Sequence, residues 1–132
     1  MRFSVRSTRR EEFVDVTGEV AEFVARAGVA EGAVLVFCPH TTAAITINEN
    51  ADPDVKRDLI AGLADIAPDD GRWRHREGNS DGHLKTSLVG PGVLVPLEGG
   101  AIQLGTWQGI YLAEFDGPRI RTVDLTVLPG VR

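Results

Sequence analysis

Beyond residue 82 the chain reads as a nearly continuous series of short strands, and that run limits the architectures open to it more than any other feature. The candidate strands are His83 to Leu88, Gly92 to Leu97, Ala101 to Leu104, Trp107 to Glu114 and Arg119 to Leu128. Most are rich in β-branched, apolar or aromatic residues. Glu98-Gly99-Gly100 and Phe115-Asp116-Gly117-Pro118 have the composition of hairpin turns.

The first half mixes two periods. Phe3-Ser4-Val5 and Phe13-Val14-Asp15-Val16 alternate as short strands around a polar turn at Ser7 to Glu12. Thr17 is placed to cap a helix in which Val20, Phe23, Val24 and Ala27 share a face, with Gly28 as its stop. Ala33 to Phe37 reads as a central strand, Pro39-His40 breaks it, and Ala43 to Ile47 resumes extended structure. Asp52-Pro53 opens a second helix, because the carboxylate accepts from free N–H groups and proline suits the first helical position. Val55, Leu59, Leu63 and Ile66 form its expected buried stripe, and Pro68 ends it. Asp69 to Gly82 has no clear period and reads as a long loop, the kind often used as a lid or binding segment. Strands, helix, strands, helix and then a meander predict one α+β domain over residues 1–132. In it two helices cover a curled mixed or antiparallel sheet.

Bulk properties remove several function classes. A net charge of -5 argues against a nucleic-acid binder, which would show a basic stripe. No apolar run approaches the length of a membrane span and no signal-like segment is present, so the expectation is a soluble cytoplasmic protein without a membrane partner. Cys38 is the single cysteine, which precludes an internal disulfide, and its place after Val34 to Phe37 reads as a buried, inert thiol.

The chemistry concentrates in His40 to Asp52, where an imidazole, hydroxyls, amides and carboxylates surround only a few apolar side chains. Polar groups at that density are costly to bury unpaired, so the segment reads as a strand presenting polar groups at its ends. His40 beside Thr41 and Thr42 suits proton transfer or metal binding, and equally a backbone hydrogen bond at a strand end. Glu49 suits a base or a divalent-cation ligand, Asn50 an orienting group, and Asp52 a helix cap. If residues 83–88 form a strand, His83, Lys85 and Ser87 share a face suited to phosphate, or else simply an exposed sheet face. Gly105-Thr106-Trp107-Gln108-Gly109 suggests a bulge or close backbone approach, with Trp107 as a packing or interface anchor and Thr106 and Gln108 turned toward a cleft or a neighbouring subunit.

Together, His40-Thr41-Thr42-Ala43, Ile47-Asn48-Glu49-Asn50-Ala51-Asp52, the His83-Leu84-Lys85 segment and Leu104-Gly105-Thr106-Trp107-Gln108-Gly109-Ile110-Tyr111 resemble the YjbQ-like family across essentially the whole chain. Glu114 and the strand opening at Arg119 also fit. Members of this family are called secondary thiamine-phosphate synthase enzymes. The resemblance implies a small α+β fold assembled as a homotrimer. It also implies a low-level activity joining a hydroxymethylpyrimidine diphosphate to a thiazole phosphate with release of diphosphate. On that reading His40, Glu49, His83 and Lys85 are the expected catalytic groups, and Thr41, Asn50, Thr106 and Gln108 bind a small phosphorylated metabolite. His40, His83 and Glu49 are the expected ligands should a divalent metal, magnesium or zinc, be bound. The rival expectation is a metabolite- or metal-binding regulatory module with no chemistry of its own.

Overall fold

In the computed structural model, which describes residues 1–131, the eight strands divide between two sheets. The chain runs β1 (Arg2–Arg6), β2 (Glu12–Asp15), α1 (Thr17–Ala27), β3 (Gly32–Phe37), β4 (Ala43–Glu49), α2 (Pro53–Ile66), α3 (Ser80–Val89), β5 (Gly92–Glu98), β6 (Ala101–Ile102), β7 (Gln108–Glu114) and β8 (Ile120–Pro129). The larger sheet has the order β1-β8-β3-β5-β6 and the smaller β2-β7-β4. Every strand pairing is antiparallel. The architecture is the α+β class expected, with a third helix.

Side-chain alternation makes the smaller sheet a middle layer. Ile110 and Leu112 of β7, with Ala43 and Ile45 of β4, point into a core shared with Val34, Val36, Val95, Leu97, Val123 and Leu125 of the larger sheet. Their sequence neighbours Tyr111, Ala113 and Ala44 point the other way, into a second core with Phe13 and Phe115. Leu59, Ile60 and Leu63 of α2 and Val89 of α3 pack over this second core. A strand buried on both faces loses the apolar–polar alternation, which is why Ile110 to Ala113 reads as a continuous apolar run. Cys38 lies in the first core, 1% exposed, and its thiol donates to the Ala43 carbonyl at 3.5 Å.

The two expected helices form, with differences at their ends and edges. Thr17 is not the cap of α1 but its first residue, and Asp15 Oδ1 accepts from both the Thr17 N–H and its hydroxyl at 2.9 and 2.6 Å. That frees Thr17 Oγ1 to accept from the Ile110 N–H, which ties the helix start to β7. Val20 and Val24 are fully buried, whereas Phe23 sits half-buried at the rim of the core. Phe23→Ala is therefore expected to cost about 2 kcal/mol in urea denaturation, below the roughly 3–5 kcal/mol of a wholly buried phenylalanine. On α2 the Asp52 carboxylate accepts from the Asp54 N–H as expected, with Pro53 at the first position. Ile66 departs from the predicted stripe and is 67% exposed.

The larger correction is α3. Residues 83–88 are helix, not strand, and the helix begins inside the segment read as a loop. Its buried residues are Asp81, Gly82, Lys85 and Thr86, so the inner face is helical in period but polar in chemistry. The i,i+4 pair Asp81–Lys85, with nitrogen and oxygen 3.3 Å apart, bridges two turns of that face. Gly82 lets the helix lie close to the end of β7, where a Cβ would meet the Phe115 carbonyl oxygen at 3.0 Å. No helix among the described residues is long and apolar enough to cross a membrane.

Candidate functional site

The His40 segment is held in place by the end of β7 and the start of β8, strands of different sheets. After Phe37 the chain leaves β3, and Thr42 is anchored from both neighbours. Its carbonyl accepts from the Phe115 N–H at 3.1 Å and from Arg121 Nη2 at 3.2 Å, and its hydroxyl accepts from Arg121 Nη2 at 2.9 Å. Arg121 in turn donates through Nε to Glu114 Oε1 at 2.9 Å and through Nη2 to Glu114 Oε2. Glu114 is wholly buried and also accepts from the Ser7 hydroxyl at 2.7 Å and the Asp116 N–H at 3.1 Å. A buried carboxylate with this many donors is satisfied as an anion.

This scaffold presents His40. Its Nε2 accepts from the Thr122 N–H at 2.9 Å. Burial pushes the imidazole pKa below its usual value, the positive charges of Arg121 and Arg119 add to that, and Glu114 opposes it. The ring lines a polar cleft of about 320 Å³ together with Thr41, Asn79, His83, Asp116 and Arg119. Asp116 Oδ2 accepts from Asn79 Nδ2 at 2.9 Å and from Arg119 Nη2 at 3.0 Å. Burial raises the Asp116 pKa, but those two donors outweigh it and hold the carboxyl below its usual range.

His83 lines this cleft and also an adjoining cavity of about 500 Å³ that holds Trp73, His75 and Leu84. The His75 and His83 rings meet edge-on with centroids 5.3 Å apart. All three histidines of the chain thus gather around two clefts that share one wall. His75, from the run Arg72-Trp73-Arg74-His75-Arg76, belongs to this group. The His83 side chain makes no hydrogen bond among the described residues.

The remaining predicted residues lie elsewhere. Glu49, Asn50, Thr106 and Gln108 cluster at the opposite end of β4, where Glu49 pairs with Gln108 across the sheet. Asn50 Oδ1 accepts from the Tyr111 hydroxyl at 2.6 Å, and Gln108 Oε1 accepts from the Gly105 N–H at 2.7 Å. Gly109 permits the approach of Asn50, whose Cγ would lie 2.8 Å from a Cβ there. Trp107 projects from this end, 64% exposed. β4 spans seven residues, so at about 3.3 Å per residue the two groups are on the order of 20 Å apart.

Lys85 belongs to neither group. It is 1% exposed, with its ammonium 3.1 Å from Glu11 and 3.3 Å from Asp81, on the inner side of α3. The strand face shared by His83, Lys85 and Ser87 does not exist, because two residues along a helix turn a side chain by about 200°. The expected metal set is likewise not assembled within the chain, since Glu49 is at the far end of β4 from His40. Among the described residues no group of three or more His, Cys, Asp or Glu is placed to hold an ion.

Comparison with known proteins agrees with this geometry at the level of family. The model of the family described as UPF0047 protein YjbQ-like matches residues 1–130. This chain belongs to that family. Among its UPF0047 relatives, the protein YugU of Bacillus subtilis is 51% identical, over 94% of this chain and 95% of that one. A crystal structure of an uncharacterised conserved YjbQ/UPF0047 protein from Clostridium acetobutylicum superposes with a TM-score of 0.95 at 48% identity, covering 97% of this chain and 99% of that one. A YbjQ-like protein of unknown function from Sulfolobus solfataricus reaches a TM-score of 0.94 at 31% identity, covering 98% and 96%. The UPF0047 fold is therefore common to a bacterial and an archaeal protein, and the three relatives' descriptions assign no reaction to it.

Proposed function

We propose that the cleft between His40 and His83 binds a small phosphorylated metabolite in the cytoplasm and carries out acid–base chemistry on it, with thiamine-phosphate synthase-like transfer as its low-level activity. One observation carries the reading. An imidazole without hydrogen bonds, His83, lines the same polar cleft as His40 and the Arg119 guanidinium. An arginine and two imidazoles suit phosphate oxygens, and the cleft has the size of a small-ligand site. In the transfer, the pyrimidine methylene carbon exchanges its bond to the diphosphate oxygen for one to the thiazole nitrogen. Arg119 and His83 offset the charge that collects on the departing diphosphate. A divalent ion in this reading travels with the diphosphate as part of the substrate.

The test is calorimetric titration of inorganic diphosphate, followed by turnover of the pyrimidine diphosphate with thiazole phosphate. His83→Ala is expected to keep the fold by circular dichroism while lowering turnover about 10²-fold or more. Saturable binding without product in the unmutated protein would favour the regulatory module, and unchanged turnover in the variant would remove His83 from the chemistry.

The same proposal places a homotrimer contact on the outer face of the larger sheet. Leu35 stands opposite Leu94 in the register, flanked by Phe37 and Leu128. Leu94 is 61% exposed and Leu128 45%, so an apolar strip faces outward. In such an assembly Glu49, Asn50, Thr106 and Gln108 contribute to a site from a neighbouring copy. Leu94→Glu is expected to shift the mass measured by light scattering from trimer to monomer. A monomeric unmutated protein would overturn this part.

A further inference from the structure

The β3–β8 ladder ends where Phe37 stands opposite Asp124. Two residues further along β8 in that direction, the Thr122 N–H has no β3 residue to meet, because the chain has turned away at Pro39. The His40 ring takes that position, with Nε2 2.9 Å from the Thr122 nitrogen. A backbone amide can only donate, so Nε2 must carry its lone pair there and no proton. A neutral imidazole then holds its single proton on Nδ1.

Resting on the cleft as the ligand site, we infer that His40 serves it as a fixed Nδ1–H donor that recognises an acceptor oxygen of the bound ligand, and is neither a general base nor a metal ligand. Both excluded roles fail for the same reason. A metal on Nε2 would displace the Thr122 N–H and leave a backbone donor unpaired in a half-buried place. A metal on Nδ1, or proton uptake there, would first require the Nδ1 proton to leave, which makes an imidazolate. The expected ligand set therefore loses His40 on donor chemistry, as it loses Glu49 of the same chain on distance. Proton transfer falls to His83, whose ring nitrogens are both uncommitted by the fold. The two imidazoles have different work: one orients an oxygen, the other moves a proton.

The ligand oxygen could belong to a phosphate or to a carboxylate, and the experiment separates these. Long-range nitrogen–proton correlation spectra of the full-length, nitrogen-15-labelled protein at neutral pH read each imidazole's tautomer. His40 is expected as the Nδ1–H form, identified by loss of its signals in His40→Gln. Inorganic diphosphate should shift its Nδ1–H resonance saturably without changing the tautomer, and citrate should do so only if carboxylate is the preferred acceptor. Zinc added to the protein should broaden His83 or His75 before His40. An Nε2–H or doubly protonated His40 in the free protein, or broadening of His40 first, would overturn the assignment. Saturable diphosphate binding that moves His83 and leaves His40 in place would overturn the donor role. No binding of either anion would instead defeat the cleft as a ligand site, while the free-protein spectrum would still decide the tautomer.

Discussion

Arg121→Ala is expected to lower the folding free energy by about 3–5 kcal/mol, the usual cost of removing one partner from a buried ion pair. Both side chains of the pair are inside, Arg121 at 5% exposure and Glu114 at 0%. Truncating the arginine leaves a carboxylate with two remaining neutral donors, the Ser7 hydroxyl and the Asp116 N–H, and no cation. For a domain whose total stability is on the order of 5–15 kcal/mol, that is about a fifth of the total or more. Urea denaturation followed by circular dichroism measures it. The double variant Arg121→Ala with Glu114→Ala should recover part of the loss, because an absent charge costs less than an unpaired one. A single-variant loss below about 1 kcal/mol would contradict the burial of this pair. The same substitution removes the two Arg121 hydrogen bonds to Thr42 and leaves the one from the Phe115 N–H, so the His40 segment should loosen and diphosphate binding should weaken in the molecules that remain folded.

Lys85→Ala should act on stability and not on binding, the reverse of what a phosphate-facing lysine on a strand would do. The ammonium lies between Glu11 and Asp81, and without it two carboxylates face one interior space. Arg10 still reaches Asp81 at 2.9 Å from its exposed side, which moderates the loss. The expected cost is about 3 kcal/mol, at the lower end for a broken buried pair. Melting and urea curves check the stability, and diphosphate titration at low temperature checks that the folded protein binds as before. A stable Lys85→Ala protein that no longer binds would return this residue to the site.

Lys85 also shows where reading the chain from its residues alone reaches its limit. Hydrophobic period locates helices that bury apolar stripes, and α1, with Val20 and Val24 inside, was legible for that reason. On α3 the buried positions hold Asp81, Gly82, Lys85 and Thr86, so there was no apolar stripe to find. The alternation of His83, Lys85 and Ser87 with Leu84, Thr86 and Leu88 then imitates a strand. The i,i+4 spacing of Asp81 and Lys85 was the available contrary signal. Arg121 offered a similar one, since it shares the inward phase of Val123 and Leu125, and a charge in that phase needs a buried partner.

The strands other than residues 83–88, the two apolar-striped helices, the Asp52 cap and the Gly99-Gly100 hairpin were decided by the sequence by itself, because each depends on residues within a few positions of one another. The expected hairpin at Phe115 to Pro118 is instead a crossover, because β7 and β8 lie in different sheets. The polar motifs that carry the family resemblance were equally plain. Only the tertiary structure decided which of these groups share a cleft. His40 and His83 come together because the end of β4, the turn after β7 and helix α3 converge there, across separations of tens of residues. Glu49 and Gln108 are kept away because they lie at the far end of the seven-residue strand β4 and its partner β7.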